Sequence, residues 1–466
     1  MGMPKTFIDL FAGIGGFHWA LKELGYQCLL AVEKDEAAQK IYALNFPEKK
    51  RREKPALNRL VGDIRKLTRQ DPDDESTELL PKQIAERLEN EFLIKKGAVG
   101  LICGGFPCQP FSKSGEQKGD KDATRGTLFH DILLLTEALE PDYLFLENVR
   151  NLAGKNHEHT LATIVARIHK LDYEIERKPI ALSPHQLPER LGSPQVRDRV
   201  FILARKKGIK EGTSPAEVAK LVNQVKKSRD FDWDAASILQ SRAKSKYKLN
   251  KSEESWLRIW EKFLKLTQDL ELPGHPIWTD VFGNAPVISQ DMPDWERNFL
   301  KGNHRLYLKL TRDPKRRKAL VIWLDELRKE KKNSEGASVK IIPTSRRKFE
   351  WQANRAFKDG EKRTLKKLLI QFRPSGIRVK PATHYPALVA MTQTTIVGPS
   401  AGSKKPRENY RYITPKEAAK LQGMYHIKFG RQADALSYKQ LGNAVNVKVI
   451  KYLAERLTGA VPCETP

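Results

Sequence analysis

The sequence predicts an α/β protein in which a mostly parallel sheet is interrupted by a large inserted domain. Three observations support this fold class. Strands and helices alternate through residues 1–205, as they do in a parallel sheet covered by helices on both faces. A glycine-rich loop joins the first strand to the first helix, and a basic, tryptophan-rich segment occupies the middle of the chain.

The elements of the first part follow one another in a regular order. Apolar runs predict strands, and apolar residues at helical spacing predict helices. The predicted strands are residues 6–11, 28–33, 99–105, 143–149 and 200–205, and the predicted helices are residues 17–24, 36–45 and 127–139. Residues 65–96 are polar with helical spacing, so we expect an insertion over the sheet.

The charge of this chain of 466 residues is unevenly distributed. Residues 206–410 contain 44 Lys+Arg and 23 Asp+Glu, and so carry +21 of the formal charge of +27. A basic segment between two nearly neutral ends indicates a nucleic-acid-binding domain inserted into another domain. The same segment holds seven of the eight tryptophans, for which we expect core positions.

The four cysteines indicate a reducing compartment. Their spacing, at Cys28, Cys103, Cys108 and Cys463, fits neither a disulfide framework nor a zinc site. No apolar run is long enough to span a membrane, and no secretory signal is present. We therefore expect a cytoplasmic protein without a metal site and without membrane association.

The glycine-rich loop at residues 11–16 has the features of a cofactor site. Glycines let a ligand approach the backbone, and the helix that follows favours polar or anionic groups at its N-terminus. Glu33, 20 positions after Gly13, could bind ribose hydroxyls. Asp63 could accept a hydrogen bond from an adenine amino group, with Ile64 against the ring. NAD, FAD and S-adenosylmethionine fit this pattern equally well, and so does a tight turn without a ligand.

Cys108 is the candidate nucleophile. It lies in a Gly/Pro-rich turn, residues 104–112, directly after a predicted buried strand. A partly exposed cysteine at such a position can ionise, and the thiolate is the reactive form. The alternative is a small buried hydrophobe. Pro107, Gln109 and Ser112 are poor core formers, and they favour the nucleophile.

Three further segments carry polar groups suited to chemistry. Glu147 ends an apolar strand, where burial would raise its pKa and let it deliver a proton. Arg197 and Arg199 share one side of an extended segment, where a guanidinium can hold a carbonyl oxygen or orient a carboxylate. Asn443, in the segment 440–445, is a candidate cap of the last helix. Taken singly, these segments also fit a surface carboxylate, a basic strand edge and an ordinary helix start.

In their order along the chain, these segments resemble the motifs of the C5-cytosine DNA methyltransferase family. The matching segments are residues 7–17, 62–64, 105–115, 147–149, 195–199, 414–423 and 442–445. Each is short, but the ordered set spans almost the whole chain and is specific. The resemblance implies an S-adenosylmethionine-dependent, Rossmann-like catalytic domain, and it places the basic segment where the family has its target recognition domain.

The resemblance also implies a domain organisation and partners. Residues 1–205 and 441–466 would form one discontinuous catalytic domain, residues 206–412 the recognition domain, and residues 413–440 a hinge segment. The implied partner is double-stranded DNA, on which we expect the enzyme to act as a monomer. We further expect it to be the modification component of a restriction-modification system, paired with a cognate restriction endonuclease.

The catalytic roles follow from the resemblance. Cys108 would attack C6 of a flipped-out cytosine, and Glu147 would protonate or hydrogen-bond N3. Arg199 would hold the cytosine O2, while Arg197 would bind a phosphate or position the loop. Gln109 and Ser114 lie on the loop that moves over the DNA, and Ser114 is a candidate to fill the space the base leaves.

The cofactor and recognition roles are implied in the same way. The cofactor residues are Phe11 for adenine stacking, Gly13, Ile14 and Gly15 for the methionine end, Glu33 for ribose, Asp63 and Ile64 for adenine, Pro107 beside the nucleophile, and Asn443 and Val445 closing the site. Lys34 departs from the family, which often has a bulky apolar residue there. Arg373, Arg378 and Thr383 are the candidates for base readout, since arginine can read guanine and threonine the thymine methyl.

Other functions explain less of the chain. A tRNA cytosine methyltransferase of the same fold would have a compact recognition region, unlike this one. A DNA-binding protein on a decayed scaffold would lack the nucleophile, the acid or the arginine pair, and all are present. A nicotinamide-dependent oxidoreductase would account for the glycine loop and Glu33 only.

Overall fold

The computed structural model describes residues 5–47, 59–107, 127–227, 233–283, 285–332, 338–388, 394–402 and 409–460, with the backbone alone for residues 331–332 and 338–340. The chain forms two compact units. The first comprises Met1–Phe231, Val389–Met391 and Ala418–Pro466, and the second comprises Asp232–Leu388 and Thr392–Glu417. For comparison, the sequence predicts domain boundaries after residues 205, 412 and 440.

Strands and helices are numbered in chain order. The strands are β1 Thr6–Leu10, β2 Gln27–Val32, β3 Leu60–Val61, β4 Leu101–Gly105, β5 Tyr143–Val149, β6 Tyr173–Ile175, β7 Ile180–Leu182, β8 Gln195–Val196, β9 Arg199–Lys206, β10 Ile277–Trp278, β11 Glu330–Lys332, β12 Ser338–Lys340, β13 Lys348–Trp351, β14 Leu368–Arg373, β15 Gly376–Pro381, β16 Tyr385–Pro386, β17 Ile396–Val397 and β18 Arg411–Tyr412. The helices are α1 Gly16–Glu23, α2 Glu36–Asn45, α3 Arg65–Thr68, α4 Pro81–Phe92, α5 Leu128–Leu139, α6 Glu158–Lys170, α7 Pro215–Lys227, α8 Lys251–Leu266, α9 Asp294–Thr311, α10 Pro314–Arg328, α11 Pro415–Leu421, α12 Asp434–Asn443 and α13 Val447–Thr458.

The main sheet of the first unit has the strand order β3-β2-β1-β4-β5-β9-β6, with β7 also pairing with β9. The strands from β3 to β5 are parallel, which confirms the predicted mostly parallel sheet. In contrast, β9 runs antiparallel to β5, and β6 and β7 run antiparallel to β9. This antiparallel edge forms because the connection from β6 to β9, which lies wholly within the described residues 127–227, contains no α-helix to carry the chain back across the sheet.

The core of the first unit lies on both faces of this sheet. Ile102 and its partner Leu144 on the next strand are completely buried on one face, and the following pair, Cys103 and Phe145, is completely buried on the other. The polar residues 65–96 do more than cover the sheet as an insertion. Their helix α4 packs against α5 and contributes the fully buried Ile84 and Leu88 to the same core.

The C-terminal segment returns to the first unit, where α13 packs against α1 and α7. The cap of α13 is Asn446, whose side chain accepts a hydrogen bond from the backbone N–H of Val449 at 3.2 Å. The prediction that Asn443 caps the last helix is therefore wrong. Asn443 is instead the last residue of α12, because the chain extends at Ala444 before it starts a new helix.

The second unit is built around a sheet with the strand order β10-β13-β15-β14-β17-β18. Helix α8 packs on it through Trp260, whose ring stacks on Phe349 at 4.4 Å between centroids. The core positions expected for the tryptophans are confirmed at four of them, which are buried: Trp233, Trp260, Trp323 and Trp351. Trp295 is an exception, with 71% of its surface exposed.

Candidate active site

A cavity of about 690 Å³ opens in the first unit, where the central parallel strands end. It is bordered by the glycine loop after β1, by the residues that follow β2, β3 and β4, and by the end of β5. The arginine pair at the start of β9 and the end of α12 complete its border. The predicted site residues that line it are Phe11, Gly13, Ile14, Glu33, Asp63, Ile64, Pro107, Glu147, Arg197, Arg199 and Asn443. Side chains from separate stretches of sequence therefore share one space.

The glycine loop makes a sharp turn between β1 and α1. Gly13 and Gly15 have φ angles of +56° and +88°, in the left-handed region that glycine adopts without steric cost. Gly16 is required for another reason, because a Cβ there would lie 2.5 Å from Cγ2 of Val445. Val445 itself does not line the cavity, but it packs directly against this loop.

The carboxylate of Glu33 fixes the glycine loop to the end of β2. Its Oε2 accepts a hydrogen bond from the backbone N–H of Gly13 at 2.7 Å, and its Oε1 accepts one from Asp35 N–H at 2.7 Å. Carboxylate oxygens have further lone pairs, so the group can still accept hydrogen bonds from a ligand in the cavity.

Asp63 is held by two basic side chains. Arg65 Nη2 lies 2.6 Å and Lys34 Nζ 3.3 Å from its Oδ2. Burial alone would raise the pKa of Asp63, but the hydrogen bonds from Arg65 and Lys34 outweigh it and lower the pKa to about 2. This carboxylate is therefore charged at neutral pH. Lys34 also lines the cavity.

Glu147 is the carboxylate at the end of β5, and only 8% of it is exposed. Burial raises its pKa, although the positive charges of Arg199 and Arg197 oppose the shift. Arg199 Nε lies 2.8 Å from Oε1 of Glu147. The neighbouring Asn148 donates its Nδ2–H to the carbonyl of Phe106 at 2.9 Å, which ties the end of β5 to the chain just before Pro107.

The two arginines have different surroundings. Arg199 is partly exposed at the start of β9, where it pairs with Glu147. Arg197 is only 2% exposed, and its Nη2 donates hydrogen bonds to the carbonyls of Gly442 and Ala444 at 2.9 and 2.8 Å. Burial lowers the pKa of Arg197 to about 9, with a smaller contribution from the charge of Arg199.

Three predicted residues of the catalytic loop, Cys108, Gln109 and Ser114, lie outside the described residues. Pro107, which directly precedes Cys108, is exposed and lines the cavity. The last described residue before the candidate nucleophile therefore lies at the cavity.

The residues predicted to read bases lie in the second unit. Arg373 and Arg378 flank the turn between β14 and β15, and both pair with Glu350 on strand β13, which is adjacent to β15. Arg378 Nε lies 2.7 Å and Arg373 Nη1 3.7 Å from Glu350 Oε2. Thr383 is partly exposed after β15. The carboxylate between the arginines limits how their guanidinium groups can turn.

Several residues that line the cavity were not predicted from the sequence: Arg65, Arg69, Asn148, Lys439 and Gln440. Two of them carried a usable signal. Arg65 follows Asp63 by two positions, and Asn148 follows Glu147 directly. The others reach the cavity only through tertiary packing.

Two observations bear on other site types. Among the described residues, no group of three or more His, Cys, Asp or Glu side chains could hold a metal ion. Within the same part of the chain, no helix is long and apolar enough to cross a membrane.

Comparison with known proteins identifies the family. The sequence profile of the family described as C-5 cytosine-specific DNA methylase matches residues 5–459. The type II methyltransferase M.AluI of Cellulosimicrobium cellulans is 33% identical over 529 residues, covering 96% of this chain and 91% of that protein. M.HgiCI of Herpetosiphon aurantiacus is 27% identical and covers 96% of each chain. M.HhaI of Haemophilus parahaemolyticus is 34% identical over 197 residues, which cover 42% of this chain and 48% of its own. The chain therefore belongs to the C-5 cytosine-specific DNA methylase family, as an enzyme of the DNA (cytosine-5-)-methyltransferase type.

Proposed function

We propose that this enzyme methylates cytosine in a specific sequence of double-stranded DNA, with S-adenosylmethionine as cofactor. The observation that carries the proposal is the single cavity that brings the Glu33 and Asp63 carboxylates together with Glu147 and Arg199. The full-length similarity to M.AluI supports a role as the modification component of a restriction-modification system. In that role the enzyme acts as a monomer in the cytoplasm, alongside a cognate endonuclease.

The residues around the cavity fit S-adenosylmethionine. Its volume is in the range of cofactor sites. Glu33 can accept hydrogen bonds from ribose hydroxyls and Asp63 from an exocyclic amine, while the loop and helix α1 offer N–H groups to a carboxylate. When bound, the cofactor supplies an electrophilic methyl group. Lys34 replaces an apolar wall, and its ion pair with Asp63 anchors the lysine beside the adenine position.

Cys108 and Glu147 make cytosine reactive. Cytosine C5 is a poor nucleophile, and addition of the Cys108 thiolate to C6 creates an enamine that can take a methyl group at C5. Glu147 donates a proton or hydrogen bond to N3 as negative charge develops there. Its raised pKa favours the protonated form that this role needs. Arg199, paired with Glu147, holds the cytosine O2.

The reaction ends by elimination. A base removes the proton from C5, the bond between C6 and sulfur breaks, and the Cys108 thiolate is released as the aromatic ring reforms. The target must first leave the stacked duplex, at a cost of roughly a few kcal/mol. Gln109 and Ser114 act on the loop that covers the DNA, and Ser114 fills the vacated space.

The second unit supplies sequence recognition in this proposal. It contains most of the segment that carries +21 of the net charge of +27, which attracts the DNA backbone. Arg373, Arg378 and Thr383 are the proposed base readers. The pairing of both arginines with Glu350 favours one orientation of each guanidinium group, which suits bidentate contact with guanine.

The test is transfer of tritium from methyl-labelled S-adenosylmethionine to duplex DNA. The wild-type enzyme should label DNA, and Cys108→Ser should not, because a hydroxyl does not add to C6 at a useful rate. Cys463→Ser, near the end of the chain, is the matched control and should keep its activity. Full transfer by Cys108→Ser would overturn the mechanism.

Bisulfite sequencing of plasmid DNA from a host that expresses the protein tests the substrate. Methylated cytosines should occur in one short sequence context. Random methylation would contradict sequence specificity, and labelling of tRNA in place of duplex DNA would contradict the substrate.

A further inference from the structure

We propose that Arg197 is a positioning residue, which fixes the segment 442–445 against the glycine loop and does not bind DNA. The proposal rests on the proposed function only for its effect on cofactor binding. Its structural part concerns contacts that exist within the first unit whatever the reaction.

Two hydrogen bonds of the Arg197 side chain reach the backbone of the C-terminal segment. One nitrogen, Nη2, donates hydrogen bonds to the carbonyls of Gly442 and Ala444. These partners lie 245 and 247 positions away in the sequence. A guanidinium that is 2% exposed is poorly placed to reach a phosphate, and a buried charge is stable only where polar groups compensate it.

The held segment in turn packs on two glycines of the site. A Cβ on Gly16 would lie 2.5 Å from Cγ2 of Val445, and one on Gly105 would lie 3.6 Å from its Cγ1. Gly16 begins the helix after the cofactor loop, and Gly105 ends the strand that leads to Cys108. Val445 therefore packs against both the cofactor loop and the strand that leads to Cys108, and Arg197 sets its position.

A second layer of hydrogen bonds serves the same segment. Ser193 Oγ donates to the carbonyl of Leu421 at 2.7 Å, and Asn446 Nδ2 donates to the same carbonyl at 2.7 Å. Gln422 Nε2 donates to the carbonyl of Leu441 at 2.8 Å. Residues 193–197 thus bind both stretches of the returning chain, and they hold Asn443 at the wall of the cavity.

The test compares Arg197→Lys with Arg199→Lys in the full-length enzyme. Lysine keeps the charge, but its shorter side chain lacks the planar guanidinium that aims Nη2 of Arg197 at the two carbonyls. In Arg197→Lys, amide hydrogen exchange at residues 442–447 should rise in the absence of cofactor and DNA. The dissociation constant for S-adenosylmethionine should increase roughly tenfold, and that for duplex DNA should stay within about twofold. Arg199→Lys should leave exchange at these amides unchanged.

Two results would overturn the proposal. One is unchanged exchange in Arg197→Lys together with weaker DNA binding, the result expected of a phosphate contact. The other is unchanged exchange in Arg197→Lys whatever its DNA binding or, if that variant does not fold, unchanged exchange in the milder variant Ser193→Ala, which loses the hydrogen bond to the Leu421 carbonyl. Because exchange is measured without ligands, failure of the proposed methyl transfer would leave this readout intact.

Discussion

At the scale of single residues, two opposing influences set the pKa of the Glu147 carboxyl group. Burial at the end of β5 raises the pKa of Glu147, and the guanidinium of Arg199 at 2.8 Å pulls it down. Burial is the larger influence, so the group holds its proton to a higher pH than an exposed glutamate does. In the proposed mechanism the protonated carboxyl donates to N3 of cytosine, and this form is lost as the pH rises through the raised pKa.

We predict that Arg199→Gln raises the pKa of Glu147 further, because it removes the closest positive charge. The measurement is a titration of ¹³C-labelled glutamate by NMR, without DNA, with Glu147→Gln identifying the signal. Lys178→Gln, an exposed site in the same unit, is the control and should leave the titration unchanged. An equal or lower pKa in Arg199→Gln would show that the ion pair does not act on this carboxyl.

At the scale of elements, local sequence patterns predicted the bounds of strands and helices, which depend on local forces. The apolar run at β5 and the helical spacing of α2 predicted the observed bounds of both elements. The antiparallel edge formed by β9 was not predictable in this way, because strand direction depends on the connection and not on the strand. Likewise, Glu147 and Arg199 were candidates from their strand ends, but the partners of Arg197 lie 245 or more positions away. No local pattern could identify them.

We predict that Gly16→Ala destabilises the first unit. The new methyl group would lie 2.5 Å from Val445 Cγ2 and 3.0 Å from its carbonyl oxygen, and such overpacking costs on the order of 1–3 kcal/mol. Thermal unfolding measures the effect. Adding Val445→Ala should recover part of the stability, since it removes the nearest atom.

Gly274→Ala is the control for this variant, because a Cβ there would meet nothing within 4 Å. If the unfolding midpoints of Gly16→Ala and Gly274→Ala are equal, Val445 does not press on the start of α1.

At the scale of the whole molecule, chemistry and charge are separated along the chain. The first unit holds the cavity, while most of the net charge lies in the segment that forms the second unit. A dense basic run there opens α10, where Lys315, Arg317 and Lys318 are found. A protein that neutralises DNA phosphates releases counterions, so its affinity falls as salt rises. Under the proposed function, we therefore expect this salt dependence to come from the second unit.

We predict that replacing Lys315, Arg317 and Lys318 together by glutamine makes the negative slope of log affinity against log salt less steep for duplex DNA. The magnitude of the slope should decrease by about 0.9 for each DNA phosphate that the variant no longer neutralises. The matched control replaces three exposed lysines of the first unit, Lys40, Lys82 and Lys178, and changes the net charge equally. Fluorescence anisotropy with a labelled duplex at several salt concentrations gives both slopes. Equal slopes in the two variants would mean that the salt dependence of DNA binding follows the net charge alone. The assignment of backbone binding to the second unit would then be wrong.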